Sequence, residues 1–104
     1  MIKSNYDHVF SQGKKMVTSE FIFIYSLNKL EHARLGLALS KKAVSKAHDR
    51  NRLKRILRET FRIKALPSVD VVVLARSKVA DVEHSLLYTR TGKAWDRLSA
   101  LCKQ

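Results

Sequence analysis

Residues 41–58 read KKAVSKAHDRNRLKRILR, eight Lys or Arg against a single acid, Asp49. The charge shares its segment with an apolar pattern. Leu53, Ile56, Leu57, Thr60 and Phe61 recur at i, i+3, i+4, i+7 and i+8, the spacing that lines one face of an α-helix. The pattern predicts a helix from about Lys46 or Ala47 to Lys64, with that stripe in a core. At about 100° per residue, Asn51, Lys54, Arg55, Arg58 and Arg62 gather on the far side. Arg52 and Glu59 fall at one margin of that far side. Arg50 falls near the edge of the stripe and is expected at the seam between the helix and its support. A folded helix that is basic outside and buried inside holds polyanions in a fixed geometry.

Working outward, the chain before this helix alternates. Over Arg34–Ser40, Leu35, Leu37 and Leu39 point one way, and Arg34, Gly36, Ala38 and Ser40 the other. The leucine face is core. The small or polar face needs no covering helix; it suits a strand of nucleic acid and an ordinary solvated sheet face equally well. Phe21–Ser26 (FIFIYS) is β-branched and aromatic, a strand buried on both faces. Lys14–Thr18 suits a short strand, and Leu27–His32 a connection. Tyr6, Val9 and Phe10 define one face of a first helix over Ser4–Gln12, with Ser4 or Asn5 as cap and Gly13 as stop. Beyond the basic helix, Pro67 ends the region and Asp70–Ala75 (DVVVLA) reads as a buried strand. Asp81 is expected to cap a last helix reaching Cys102, with Val82, Leu86, Leu87, Trp95, Leu98 and Leu101 inside. Gly92 weakens that helix by about 1 kcal/mol relative to Ala, and Trp95 reads as core. The order α-β-β-β-α-β-α predicts an α+β sandwich of one domain, residues 1–104, with helices on a sheet of about four strands.

Composition narrows the partner. The 104 residues carry 21 Lys and Arg against 9 Asp and Glu, a net charge of +12. At 45% hydrophobic residues this is not a disordered basic tail. So much charge points to an anionic partner, nucleic acid first and an anionic membrane surface second. The membrane reading is the weaker one, because the apolar stripe of the basic helix is needed by the core. The lone Cys102 cannot form an internal disulfide and reads as a packed thiol. No run approaches the ~18 apolar residues of a membrane span, and MIKSNYDHVF lacks the apolar region of a signal peptide. A cytoplasmic protein is expected. His8, His32, His48 and His84 are scattered without zinc spacing. The carboxylates are dispersed too, with Asp70 and Asp81 on different elements, so no metal site and no catalytic residue are expected.

The run Lys41–Phe61, centred on Arg50-Asn51-Arg52 and followed by Lys54, Arg55 and Arg58, resembles the signature of the bacterial ribonuclease P protein subunit. Tyr6 and Phe10 before Gly13 match the aromatic pair of that family's first helix. Arg34-Leu35-Gly36-Leu37 leading into Ser40-Lys41-Lys42, Asp70-Val71-Val72-Val73 and the Trp95 helix match the remainder. The resemblance implies a small protein that joins a catalytic RNA, one to one, to cleave the 5′ leader from precursor tRNA. The RNA would hold the catalytic Mg²⁺, and the protein no cofactor. It implies an RNA-subunit surface of Arg50, Asn51, Arg52, Lys54, Arg55 and Arg58, with Lys41, Lys42, Lys46 and Arg62 of the same basic region. It also implies a leader cleft between the first helix and the open sheet face. Tyr6, Phe10, Ile22 and Ile24 carry over to that cleft, and Arg34, Gly36, Ala38 and Ser40 join them by alternation. The family's crossover through the basic helix is left-handed, against the right-handed rule for parallel strands. Two features depart from the family pattern: only MIKSN precedes Tyr6, where a longer basic segment is usual, and Tyr6 stands where Phe is common. A general RNA-binding or ribosomal protein is the competing expectation.

Overall fold

The structure, a computed structural model, describes residues 2–103. In chain order it has α1 (Lys3–Gln12), β1 (Lys14–Val17), β2 (Phe21–Leu27), β3 (Arg34–Leu37), α2 (Ala47–Ile63), β4 (Val69–Ala75), a single 3-10 turn (Val79–Asp81) and α3 (His84–Cys102). The expected α+β order holds, and the strands form one four-stranded sheet ordered β1-β2-β4-β3. The last strand in sequence therefore lies inside the sheet, antiparallel to β2 and parallel to β3. The basic helix α2 is the crossover between the neighbouring parallel strands β3 and β4.

Two-residue periodicity divides the sheet into faces. Phe21, Phe23 and Tyr25 of β2 and Val69, Val71 and Val73 of β4 form the main core with Leu53, Ile56 and Leu57 of α2 and Leu87, Trp95 and Leu98 of α3. Leu35, Leu37 and Leu39 pack against this core, as their alternation predicts. On the other face Ile24 and Val72 meet Val9 of α1 in a second, smaller cluster. Both inner strands are thus covered twice, which is why FIFIY and VVVL read as continuous apolar runs. Trp95 joins three elements. Its ring meets Phe23 of β2 and Phe61 of α2 edge-on, at 5.1 and 5.3 Å between centroids. Its indole N–H donates to Thr60 Oγ1 at 2.8 Å, and that hydroxyl donates in turn to the Ile56 carbonyl at 2.7 Å. This chain of bonds lets a threonine sit in the apolar stripe fully satisfied.

Several element ends differ from the sequence reading. The N-cap of α1 is Ile2, not Ser4 or Asn5. Asn5 acts from inside the helix, its Oδ1 accepting the Ile2 N–H at 3.1 Å, which is half of a capping box. Gly13 does stop α1, but its φ of −78° is open to any residue. Space is the reason for glycine: a Cβ there would collide with the Val9 carbonyl oxygen and lie 2.9 Å from Ile24 Cγ2. Gly13→Ala is expected to cost about 1–3 kcal/mol, as overpacking does. Urea unfolding measures it, and a loss within experimental error would show that the α1–β1 joint opens freely. Strand β3 is shorter than the alternation suggested. Its ladder ends with the Ala38 N–H donating to Val73 O at 2.9 Å. Ser40 then belongs to a turn, accepting the Ala43 N–H on Oγ at 3.2 Å. Helix α3 is capped by Glu83, whose carboxylate accepts the N–H groups of Ser85 and Leu86. Asp81 ends the preceding 3-10 turn instead, so Val82 reaches the core from outside the helix.

Candidate nucleic-acid interface

Helix α2 is buried through Leu53, Ile56, Leu57 and Thr60. Asn51, Arg55, Arg58 and Arg62 are exposed on its far side and Lys54 is half-buried beside them. Among the described residues the ion pairs are Arg34–Asp70, His48–Asp49, Lys64–Asp96 and Arg90–Glu20. None involves a cation of that far side. Four positive charges within about three turns of helix repel one another, with Glu59 at their margin and no ion pair to any of them among the described residues.

The two arginines of the Arg50-Asn51-Arg52 motif point to different supports. Arg50 lies at the seam, as its helical phase predicts. Its Nη1 donates to the carbonyls of Val44 and Ser45 at 2.9 and 3.0 Å, fixing the loop that carries the exposed Lys41, Lys42 and Lys46. Arg52 turns from the margin of the outer face toward the 3-10 turn, where Nη2 donates to Ala80 O at 3.0 Å. Each guanidinium uses one nitrogen on the protein and keeps further donors for a phosphate. The motif therefore holds the loops before and after the crossover as well as presenting charge.

Two depressions flank β3. The larger, about 550 Å³, is lined by Tyr6, Leu35, Leu37, Lys54, Arg58, Phe61 and Arg62. Tyr6 comes from the α1 side of the sheet and the α2 residues from the other, so this groove wraps the free edge of β3. The smaller, about 400 Å³, lies at the far end of the strand and brings Ile22, Ser40 and Lys42 together with Ala75, Arg76 and Ser77. The sequence reading missed Arg76. It follows a buried strand as a lone cation, outside any periodic pattern, and only the fold sets it beside Ser40 and Lys42. Its Nη1 donates to Thr18 O at 2.8 Å.

The α1 face is less open than the alternation suggested. Phe10 is 46% exposed and free to stack, and Tyr6, Ile22 and Ala38 are half-buried. Gly36 is buried in β3. Ile24 is only 6% exposed and serves as the seat of α1 rather than as an open wall. Ser40 stands off the strand, in the turn. Arg34 carries the largest departure. Its Nε and Nη2 grip both oxygens of the buried Asp70 carboxylate at 2.8 and 2.6 Å, so it does not stand free on the sheet face. Asn28 Nδ2 adds a third bond to Asp70 at 2.8 Å.

The Arg34 hydrogen bond holds the Asp70 carboxyl below its ordinary value of 3.8, helped by Asn28, the Arg34 charge and His8, and opposed by burial. A depressed folded pKa contributes stability that is complete above the unfolded value near 3.9 and is lost as pH falls through the folded one. The stability gap between the protein and Asp70→Asn is therefore expected to shrink below about pH 4. Denaturation at neutral and acid pH checks this; a gap that stays constant would contradict it.

Among the described residues, no three His, Cys, Asp or Glu side chains gather where they could hold a metal ion. The buried acids Glu20 and Asp70 are each paired with an arginine. No helix of the described residues is long and apolar enough to cross a membrane. Cys102 is half-buried, and burial pushes its thiol up.

The chain is similar to known proteins over most of its length. The profile of the family described as Ribonuclease P matches residues 2–99. The ribonuclease P protein component of Legionella pneumophila (strain Corby) is 50% identical over 98 residues, covering 94% of this chain and 86% of the relative. That of Yersinia pestis is 43% identical over 96 residues, covering 90% and 81%. Among solved structures, the RNase P protein of Staphylococcus aureus superposes with a TM-score of 0.83 at 25% identity, over 94% of this chain and 91% of that one. The RNase P protein of Thermotoga maritima gives 0.81 at 27% identity, over 93% and 94%.

Proposed function

The chain belongs to the ribonuclease P protein family, and from that premise we propose how it serves as the protein component of this tRNA 5′-processing endoribonuclease. One observation carries the proposal: the far side of α2 presents Lys54, Arg55, Arg58 and Arg62 without an acidic partner, opposite a buried stripe. The partner of that face is the RNA subunit of the ribonucleoprotein, one RNA to one protein. Arginine offers two parallel N–H bonds to a phosphate, so a row of them on a rigid helix fixes register without reading sequence. Arg50 and Arg52 contribute their spare donors, and Lys41, Lys42 and Lys46 extend the field along the loop.

The leader of precursor tRNA passes over the α1 face. Tyr6 and Phe10 stack on unpaired bases at about 1–3 kcal/mol per base, a contact that tolerates any sequence. Ile22 and Ala38 give that strand a smooth floor, and Lys42 and Arg76 receive its phosphates at the far end of β3. The cleavage chemistry belongs to Mg²⁺ held by the RNA subunit. This protein's acids support that division, since its two buried carboxylates are spent on arginines.

Purified protein alone is expected to leave precursor tRNA intact, and addition of the cognate RNA to give 5′ cleavage at low Mg²⁺. RNA-free cleavage abolished by a carboxylate substitution would overturn the assignment of chemistry to the RNA. In the holoenzyme, leader-bearing precursor should bind more tightly than mature tRNA; equal affinities would favour a general RNA-binding role.

A further inference from the structure

We infer that Arg34 and Asp70 are positioning residues that hold the first turn of α1 against the sheet and so place Tyr6, and that neither touches the leader. The inference rests on the reading of Tyr6 as a leader contact. The alternation of β3 put Arg34 on the RNA-facing side, where a cation invites assignment as a phosphate ligand. Its bonds argue otherwise. Nε and Nη2 form a two-pronged grip on Asp70, and the third nitrogen, Nη1, reaches Asn5 Oδ1 on α1 at 3.4 Å. All three guanidinium nitrogens have protein partners. Asp70 is 5% exposed and accepts three side-chain bonds, from Arg34 twice and from Asn28. The Asp70 carboxylate also offsets the Arg34 charge that would draw a phosphate.

The position of Asn5 gives the network its consequence. Asn5 is next to Tyr6, and its Oδ1 also accepts the Ile2 N–H that opens the helix. The rest of the attachment is thin: Val9 is the single buried residue of α1. Close packing at Gly13 fixes the C-terminal end. The Arg34–Asn5 tie fixes the N-terminal end, and Tyr6 lies between that tie and Val9. Without it the first turn would be held only through Val9 and the half-buried Tyr6 ring packed beside it, and a helix end so weakly held opens locally.

Hydrogen exchange on the free full-length protein, followed by leader affinity in the holoenzyme, tests this with Asn5→Ala, Arg34→Lys and Asp70→Asn. Amides of α1 are expected to exchange about tenfold faster in each variant, a local loss of about 1.4 kcal/mol. Those of Leu53–Thr60 should be unchanged in Asn5→Ala, and in Asp70→Asn and Arg34→Lys should speed only by the global loss that denaturation reads. Affinity for leader-bearing precursor should fall in the same order, while affinity for mature tRNA holds. The two roles predict opposite signs for Asp70→Asn. Freeing a phosphate ligand from its carboxylate would tighten leader binding, whereas releasing α1 weakens it. Tighter binding, or unchanged α1 exchange, overturns the inference. Asn5→Ala leaves the Arg34–Asp70 pair intact and answers the question if Asp70→Asn does not fold. Tyr6→Ala is the control. If it leaves leader affinity unchanged, the leader reading of α1 falls and this inference with it. If Tyr6→Ala weakens binding while the three variants do not, the inference falls alone.

Discussion

Replacing Arg55, Arg58 and Arg62 together with alanine is expected to weaken association with the RNA subunit by on the order of a thousandfold at moderate salt. Hydrogen bonds to charged groups contribute roughly 1.5–3 kcal/mol each, and about 4 kcal/mol in total is already three decades. The effect has a second signature. Each phosphate contact releases condensed counterions, so losing three should flatten the dependence of log affinity on log salt by about 2–3. The fold should survive, because the three side chains are exposed and alanine is the best helix former. A titration at several salt concentrations reads both quantities. Weaker binding with an unchanged slope would show that these arginines act on something other than the RNA backbone.

Trp95→Ala is expected to have the largest effect on stability, about 3–5 kcal/mol. Domains of this size are stable by only about 5–15 kcal/mol, so the variant stands close to unfolding. The ring is fully buried and meets Phe23 and Phe61 edge-on. Its loss opens a cavity where β2, α2 and α3 meet, and removes the donor to Thr60. Thermal unfolding should begin roughly 15 °C lower or more. RNA affinity of the molecules that remain folded should be nearly unchanged, since Trp95 lies on the side of α2 away from the cationic row. A loss below about 1 kcal/mol would mean that the three elements close over the gap.

Helix α2 also marks how far the chain could be read before its structure. The helical phase of residues 46–64 separated the outer cations from Leu53, Ile56 and Leu57, and put Arg50 at the seam, because periodicity reports which side of a helix faces the core. It could not say what Arg50 binds there. The Val44 and Ser45 carbonyls become acceptors only once the loop has closed. Arg34 shows the same limit more sharply. Alternation found its face, but Asp70 lies 36 residues away and is adjacent only through the parallel pairing of β3 with β4. The end of α3 shows a different limit. Asp81 and Glu83 are both acids near its start, and the 3-10 turn that takes up Asp81, not composition, leaves Glu83 at the cap. Of the residues proposed for the leader, spacing put Tyr6 and Phe10 on one face of α1, and only the family resemblance suggested their role. Arg76 was not legible, since a single cation after a strand carries no pattern.

The placement of β4 has a consequence for how the molecule comes into being. Strand β3 has no neighbour except β4, and β2 is bonded to β1 and β4. While residues 1–66 leave the ribosome, a β1–β2 hairpin and a cationic helix exist without the strand that joins them. A lone hairpin is marginal in water, and so is a helix of this length without a surface to rest on. The cationic row of α2 therefore gains its fixed spacing only when residues 69–75 slide between β2 and β3. Nascent chains too short to include them offer charge but no template. A long-range closure of this kind is slow relative to helix formation, and the fixed spacing of the cationic row waits on completion of the sheet.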